Sequence, residues 1–223
     1  MRLEVILECV AGAGCNVLAD IGTDHAFIPI EAIKRKLAKR VIACDISPGP
    51  LEIGQKNVIR EGLSEYIKLR LGDGLEPIQP GEADTIIIAG MGGMRILKII
   101  SDGLGIINET NLILQPQHDT RKLRRGLIDL GIEIHREHLA KEGERFYEIL
   151  CAAKSSEVPY LSEEDIFLGW HKGELASQFY LLSKLKIEKY VHRINDKDEK
   201  RQAHKEIAWL EKTIMNLKNK CGS

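Results

Sequence analysis

Three short hydrophobic runs in the first third of the chain each end on an aspartate: Val17-Leu18-Ala19-Asp20, Val41-Ile42-Ala43-Cys44-Asp45 and Leu69-Arg70-Leu71-Gly72-Asp73. Carboxylates accept hydrogen bonds and attract cations, so a row of three suits a ligand rich in N–H and O–H donors. An amino group, a ribose diol and an adenine meet that description together, and S-adenosylmethionine carries all three. Asp45 follows Asp20 by 25 residues, about one strand–helix–strand repeat, and an acid at a second strand end suits ribose hydroxyls. Alone, Asp45 serves NAD equally well. Asp73-Gly74 makes the difference, as an acceptor for the exocyclic amine of adenine. Taken singly, each aspartate equally suits a turn or a helix cap.

Other motifs stand at the same kind of position. Asp20-Ile21-Gly22-Thr23-Asp24-His25-Ala26 follows the first run directly, and its small residues let backbone approach a ligand. It is not the G-x-G-x-x-G dinucleotide fingerprint, because Thr23 and Asp24 occupy the glycine region and an aspartate repels a pyrophosphate. A tight turn with an aspartate cap is the structural alternative. Ala89-Gly90-Met91-Gly92-Gly93-Met94 ends the most apolar run, and its three glycines imply close passage of backbone. Gln115-Pro116-Gln117-His118 offers two amides that either pair with a base edge or satisfy loop backbone. His25 and His118 read as structural or water-bound histidines, because methyl transfer to a nitrogen lone pair needs no histidine base. Arg145 and Tyr147, flanking Phe146, open a late strand. An aromatic there either stacks on a base or packs on a sheet.

The elements that must hold these residues follow from periodicity. Strands are expected near 16–21, 40–45, 67–71, 84–89, 111–114, 132–138 and 145–153. Helices are expected near 2–12, 26–37, 48–61, 92–102 and 118–130. Such alternation predicts an α/β domain with a mostly parallel sheet, whose ligands bind beyond the carboxyl ends of the strands. After a boundary at 155–161, marked by Pro159 and serines, the pattern becomes purely helical. Leu175, Phe179, Leu182 and Lys186 follow helical spacing, and Ala203, Ile207, Leu210, Ile214 and Leu217 step by four and three, as in a coiled-coil seam. Asn195-Asp196-Lys197-Asp198 is the expected turn of a helical hairpin.

The 223 residues carry a formal charge of −1, but the average hides an asymmetry. Residues 1–154 hold 20 Lys and Arg against 22 Asp and Glu, whereas residues 172–223 hold 12 against 7. A basic tail on a neutral body suits a polyanionic partner or, equally, a solvated helical face. The five cysteines (Cys9, Cys15, Cys44, Cys151, Cys221) form no close pairs, which argues against a zinc site and a disulfide framework. No secretory pattern or membrane-length apolar run is present, so a soluble, cytoplasmic protein is expected.

The segments Ala19-Asp20-Ile21-Gly22-Thr23-Asp24-His25-Ala26, Cys44-Asp45-Ile46-Ser47, Gly72-Asp73-Gly74-Leu75, Ala89-Gly90-Met91-Gly92-Gly93 and Leu114-Gln115-Pro116-Gln117 together resemble the bacterial tRNA adenine-22 N1-methyltransferase family. The resemblance extends over most of the chain. It implies an α/β, Rossmann-like class I methyltransferase domain at 1–157, with S-adenosylmethionine as methyl donor and N1 of a tRNA adenine as acceptor. It also implies a helical coiled-coil hairpin at 158–223 that helps hold tRNA. On this reading the cofactor is bound by Asp20, Gly22, Thr23, His25, Asp45, Ile46, Asp73, Gly74, Ala89 and Gly90. Asp24 is the first candidate for stabilising the cationic product base, followed by the backbone of Gly90 and Met91. Gln115, Gln117, Arg145, Tyr147, Lys184, Lys189 and Arg193 are assigned to substrate binding. No metal and no membrane are assigned; a monomer is expected, with a dimer open because a seam closes equally well between chains. The rivals are an NAD-dependent oxidoreductase, a non-catalytic RNA-binding protein on the same fold, and a methyltransferase acting on a small molecule or protein.

Overall fold

The computed structural model describes residues 1–221, and the chain falls into two compact units. The first comprises residues 1–142 and 147–159, the second residues 143–146 and those from 160 onward. Among the described residues, no helix is long and apolar enough to cross a membrane.

The first unit is built on one seven-stranded sheet: β1 (Val17–Ile21), β2 (Arg40–Asp45), β3 (Ile67–Leu71), β4 (Thr85–Met91), β5 (Asn111–Pro116), β6 (Ile132–Glu142) and β7 (Arg145–Lys154). Their order across the sheet is β3-β2-β1-β4-β5-β7-β6. The first five pair in parallel, and β7 runs antiparallel to β5. Helices α1 (Arg2–Ala13), α2 (Phe27–Lys34), α3 (Pro48–Arg60), α4 (Gly93–Asp102) and α5 (Thr120–Asp129) cover its faces.

Strand side chains alternate with period two, so one run feeds two cores. Ala19, Ile42, Ile86, Ile88, Leu112 and Leu114 pack with Ile96 and Ile100 of α4 and Leu123 and Leu127 of α5. Leu18, Val41, Ala43, Ile87 and Ile113 pack with Ile6, Leu7 and Val10 of α1, Ile30 of α2 and Val58 of α3. Burial on both faces explains why β4 reads as a continuous apolar run. The order reverses beside β1, where β2 and β4 flank it. That is the switch point at which an open α/β sheet forms a crevice.

Boundaries differ from expectation at the crevice. β4 runs on to Met91 and β5 to Pro116, with a register shift between Ala89 and Met91. Gly90, at φ 79°, absorbs the irregularity. α2 is shorter than predicted: it starts at Phe27, after Ala26 in a left-handed conformation, and ends at Lys34.

The second unit holds α6 (Glu163–Leu168), α7 (Gly173–Val191) and α8 (Lys197–Cys221). α6 begins with a capping box, Ser162 Oγ accepting from the Asp165 N–H while Asp165 accepts from the Ser162 N–H. α7 packs along α8. The α8 face is the expected one, with Ala203 and Leu210 buried and Ile207, Ile214 and Leu217 half-buried. The α7 face is rotated from expectation: Ala176 and Tyr180 are buried, whereas Leu182 and Lys186 are exposed. Tyr180 directs the rotation, because its hydroxyl needs a partner when buried and donates to the Leu168 carbonyl (3.2 Å).

Candidate functional site

A cavity of about 630 Å³ opens beyond the carboxyl ends of β1, β2, β3 and β4. Cavities of this size take small molecules and cofactors. Gly22, Thr23 and Asp24 form one wall, Asp45 and Ile46 the next, Asp73 and Gly74 a third, and Ala89, Gly90 and Met91 the fourth. Gln117 also faces it.

The loop after β1 is built to lie flat on β2. The N–H groups of Gly22 and Thr23 both donate to the Cys44 carbonyl (2.8 and 2.9 Å). Gly22, Asp24 and Ala26 take left-handed φ values of 75°, 52° and 61°. Side chains rarely adopt that region, aspartate more readily than most. A Cβ on Gly22 would run into the methyl of Met91, so glycine here serves both turn and cavity. Asp45 clasps the turn: one oxygen accepts from the Asp24 N–H (3.1 Å), the other from the Ser47 N–H (2.9 Å). An ionised carboxylate has about four acceptor sites, so Asp45 retains capacity for a diol.

Asp20, assigned to the cofactor, lies beneath this loop and is not among the residues lining the cavity. It is 2 % exposed and accepts a hydrogen bond from Thr23 Oγ1 (2.7 Å). Burial pushes its carboxyl up to about 7, with Asp45's charge adding to the rise and the Thr23 bond opposing it. His25 is also off the wall, turned edge-on to Phe27 (5.7 Å between centroids) and 3.5 Å from Asp24. Gln115 is fully buried: its amide donates to the Pro116 carbonyl (2.7 Å), and its oxygen accepts from Arg2 (3.3 Å). The Arg2 guanidinium sits over the Tyr147 ring at 5.3 Å. Gln115 and Tyr147, both assigned to substrate, thus hold Arg2, which does line the cavity. Arg145 is exposed and off the cavity wall.

Reasoning from acids missed the cations. Arg95, in the first turn of α4, donates to Asp73 (2.9 Å) with both side chains about half exposed, and it lines the cavity with Arg2. Its one sequence signal is its place two residues after Gly93. Phe27, 58 % exposed at the cavity mouth, was missed as well; an aromatic directly after a ligand loop was the available signal.

In the second unit, Lys184, assigned to substrate binding, is paired with Glu188 (3.3 Å) and Glu211 (2.9 Å). Lys189 and Arg193 flank the exposed Tyr190 ring at 5.9 and 5.6 Å. Sequence spacing also hid one cluster of possible ligands. α1, β6 and β7 bring donor atoms of Cys9, His138 and Cys151 within 4.8 Å of one another.

Residues 18–220 match the model of a family described as tRNA (adenine(22)-N(1))-methyltransferase. A Bacillus subtilis protein of that name is 38% identical over 152 residues, 68% of this chain and 63% of its own length. The Streptococcus pneumoniae protein Sp1610, solved in complex with S-adenosyl-L-methionine, superposes with a TM-score of 0.85 at 32% identity, covering 96% of this chain and 98% of that one. TrmK of M. capricolum, in complex with S-adenosyl-homocysteine, gives 0.83 at 27% identity over 97% of this chain and 98% of its own.

Proposed function

This chain belongs to the tRNA (adenine(22)-N(1))-methyltransferase family, and from that premise we propose that it transfers a methyl group from S-adenosylmethionine to N1 of adenine 22 in tRNA. The observation that carries the reading is the row of Asp24, Asp45 and Asp73 around one cavity at the switch point of the sheet. The cavity fits the donor: its volume suits a nucleoside with an amino-acid arm, and Gly22 and Gly90 on its wall take left-handed φ values that glycine adopts freely.

Asp45 would take the ribose hydroxyls and Asp73 the adenine amine. Thr23 and Gly22 would border the amino-acid arm, with Asp20 as a positioning residue beneath them. S-adenosylmethionine supplies an electrophilic methyl on a cationic sulfur. N1 of adenine carries an in-plane lone pair, so no base is needed to activate it. The protein's tasks are to align the two groups and to exclude water. N1 lies on the Watson–Crick edge, so the target base must leave its stack first, at a cost of a few kcal/mol. Phe27 at the mouth offers a ring on which it can restack. The product base is cationic, and Asp24, exposed beside the mouth, would stabilise that charge.

The first 157 residues would form the catalytic domain and residues 158–223 a coiled-coil, tRNA-holding domain acting in a monomeric, cytoplasmic enzyme. Lys189, Tyr190 and Arg193 combine charge with a stacking surface, as phosphate and base contacts require.

The test is incubation of the purified protein with unmodified tRNA transcripts and isotope-labelled S-adenosylmethionine. Label is expected in 1-methyladenosine and is expected to vanish when adenine 22 is replaced. Label elsewhere, or none with cofactor binding intact, defeats the proposal. Asp24→Asn should retain cofactor affinity and lose at least about tenfold in turnover, since one electrostatic contact of this kind is worth about 10²-fold or more.

A further inference from the structure

Cys9 on α1, His138 on β6 and Cys151 on β7 stand apart from the residues lining the cavity. One donor atom from each lies within 4.8 Å of the other two. Both cysteines are buried at 7 % exposure, and the histidine is half-buried, which leaves a way in from solvent. Cys15 and Cys44 belong to no such group among the described residues.

We propose that Cys9, His138 and Cys151 form a binding site for one zinc ion that ties α1 to β6 and β7. Two thiolates and an imidazole are the donor set that borderline-soft Zn²⁺ prefers over harder cations. At bond lengths of about 2.3 Å to sulfur and about 2.0–2.1 Å to nitrogen, tetrahedral ligands stand about 3.6–3.8 Å apart, so the donors need close by no more than about 1.2 Å. The fourth position falls to water through the half-buried side.

The two thiols are hydrogen-bonded to each other, which lowers Cys151 and raises Cys9, and burial raises both. Cys9 therefore stands well above the ordinary thiol range and Cys151 below it, with the positive charge of Arg136 only partly offsetting the rise at Cys9. The ion would take over the cross-link and displace both thiol protons, the shared one and the second, to solvent. α1 also carries Arg2, Leu3 and Ile6 on the cavity wall, so a metal at Cys9 would anchor that wall from within about two turns.

The test uses full-length, reduced, chelator-treated protein and the metal alone. Titration with Co²⁺ is expected to produce a thiolate-to-cobalt charge-transfer absorption that saturates at one equivalent and is bleached by Zn²⁺. Zn²⁺ is expected to slow alkylation of Cys9 and Cys151, read by peptide mass spectrometry, and to leave Cys15 and Cys44 unchanged. Cys9→Ser, Cys151→Ser and His138→Asn should each weaken Zn²⁺ binding by more than about 100-fold, beyond what an outer-shell change costs. The alkylation readout on the unmutated protein decides the matter even if a variant fails to fold. Absence of the absorption, protection confined to other cysteines, or full affinity in a folded variant overturns the site. So does a Cys9–Cys151 disulfide in the purified protein with no metal uptake after reduction.

Discussion

At the residue scale, burial separates carboxylates that look alike in the chain. Asp73 is about half exposed and meets Arg95, whereas Asp20 is sealed under Thr23 and titrates near 7 against an ordinary value of 3.8. Between those two values the unfolded chain has released a proton that the folded chain still holds. Asp20 therefore favours the folded state most below about pH 4, and that contribution falls as pH rises toward 7. Asp20→Asn keeps the shape and an acceptor for Thr23 while removing the titration. Urea unfolding at pH 4.5 and pH 8 should show the variant gaining on the parent protein at the higher pH; a constant difference would contradict the burial argument. A buried ion pair joins α5 to the sheet. Arg124 is ion-paired with Glu137 (2.6 Å) and with Glu148, and the arginine and Glu137 are almost wholly buried. Arg124→Met leaves those carboxylates buried without their cation, so denaturant midpoints should report a loss of about 3–5 kcal/mol.

At the element scale, the cavity depends on how closely α4 approaches the loop after β5. The Gly93 N–H donates to the His118 carbonyl (2.9 Å), and a Cβ on Gly93 would stand 2.7 Å from the Asp119 carbonyl oxygen. Backbone cannot swing aside as a side chain can. Gly93→Ala should therefore push out the start of α4, lower thermal stability by about 1–3 kcal/mol and displace Arg95, two residues on. The prediction is checked by a thermal melt alongside cofactor titration, and an unchanged melt would mean that the approach is looser than it stands here. Sequence reading placed this helix near 92–102 from periodicity and read the glycines before it as a close passage of backbone. It could not place the register shift at Gly90, because a bulge is decided by the pairing of two strands, and only β5 shows where β4 slips.

At the scale of the whole molecule, the asymmetry of charge becomes a prediction about binding. If Lys189 and Arg193 contact phosphates, replacing both by alanine should weaken tRNA binding across sequences and reduce the slope of log affinity against log salt by about 2, roughly 1 per contact. Cofactor affinity should not change, and an unaltered salt slope would remove both residues from the interface. The order of elements, the strand ends carrying Asp20, Asp45 and Asp73, and the basic helical region were legible in the chain, because periodicity, strand-terminal acids and composition are local properties. The α8 face was legible for the same reason. What neighbours decide was not. Nothing in Gln115-Pro116-Gln117 says that the first glutamine turns inward to hold Arg2 while the second faces the cavity. Spacing alone set Cys9 and Cys151 far apart, and sequence distance was the wrong measure of proximity. α1 and β7 meet only once the sheet has formed, and there the two thiols share one hydrogen bond beside His138. The chain by itself determined which residues stand at strand ends. The tertiary structure decided which of them face the ligand and which lie beneath it, because burial and donor–acceptor pairing depend on partners distant in sequence.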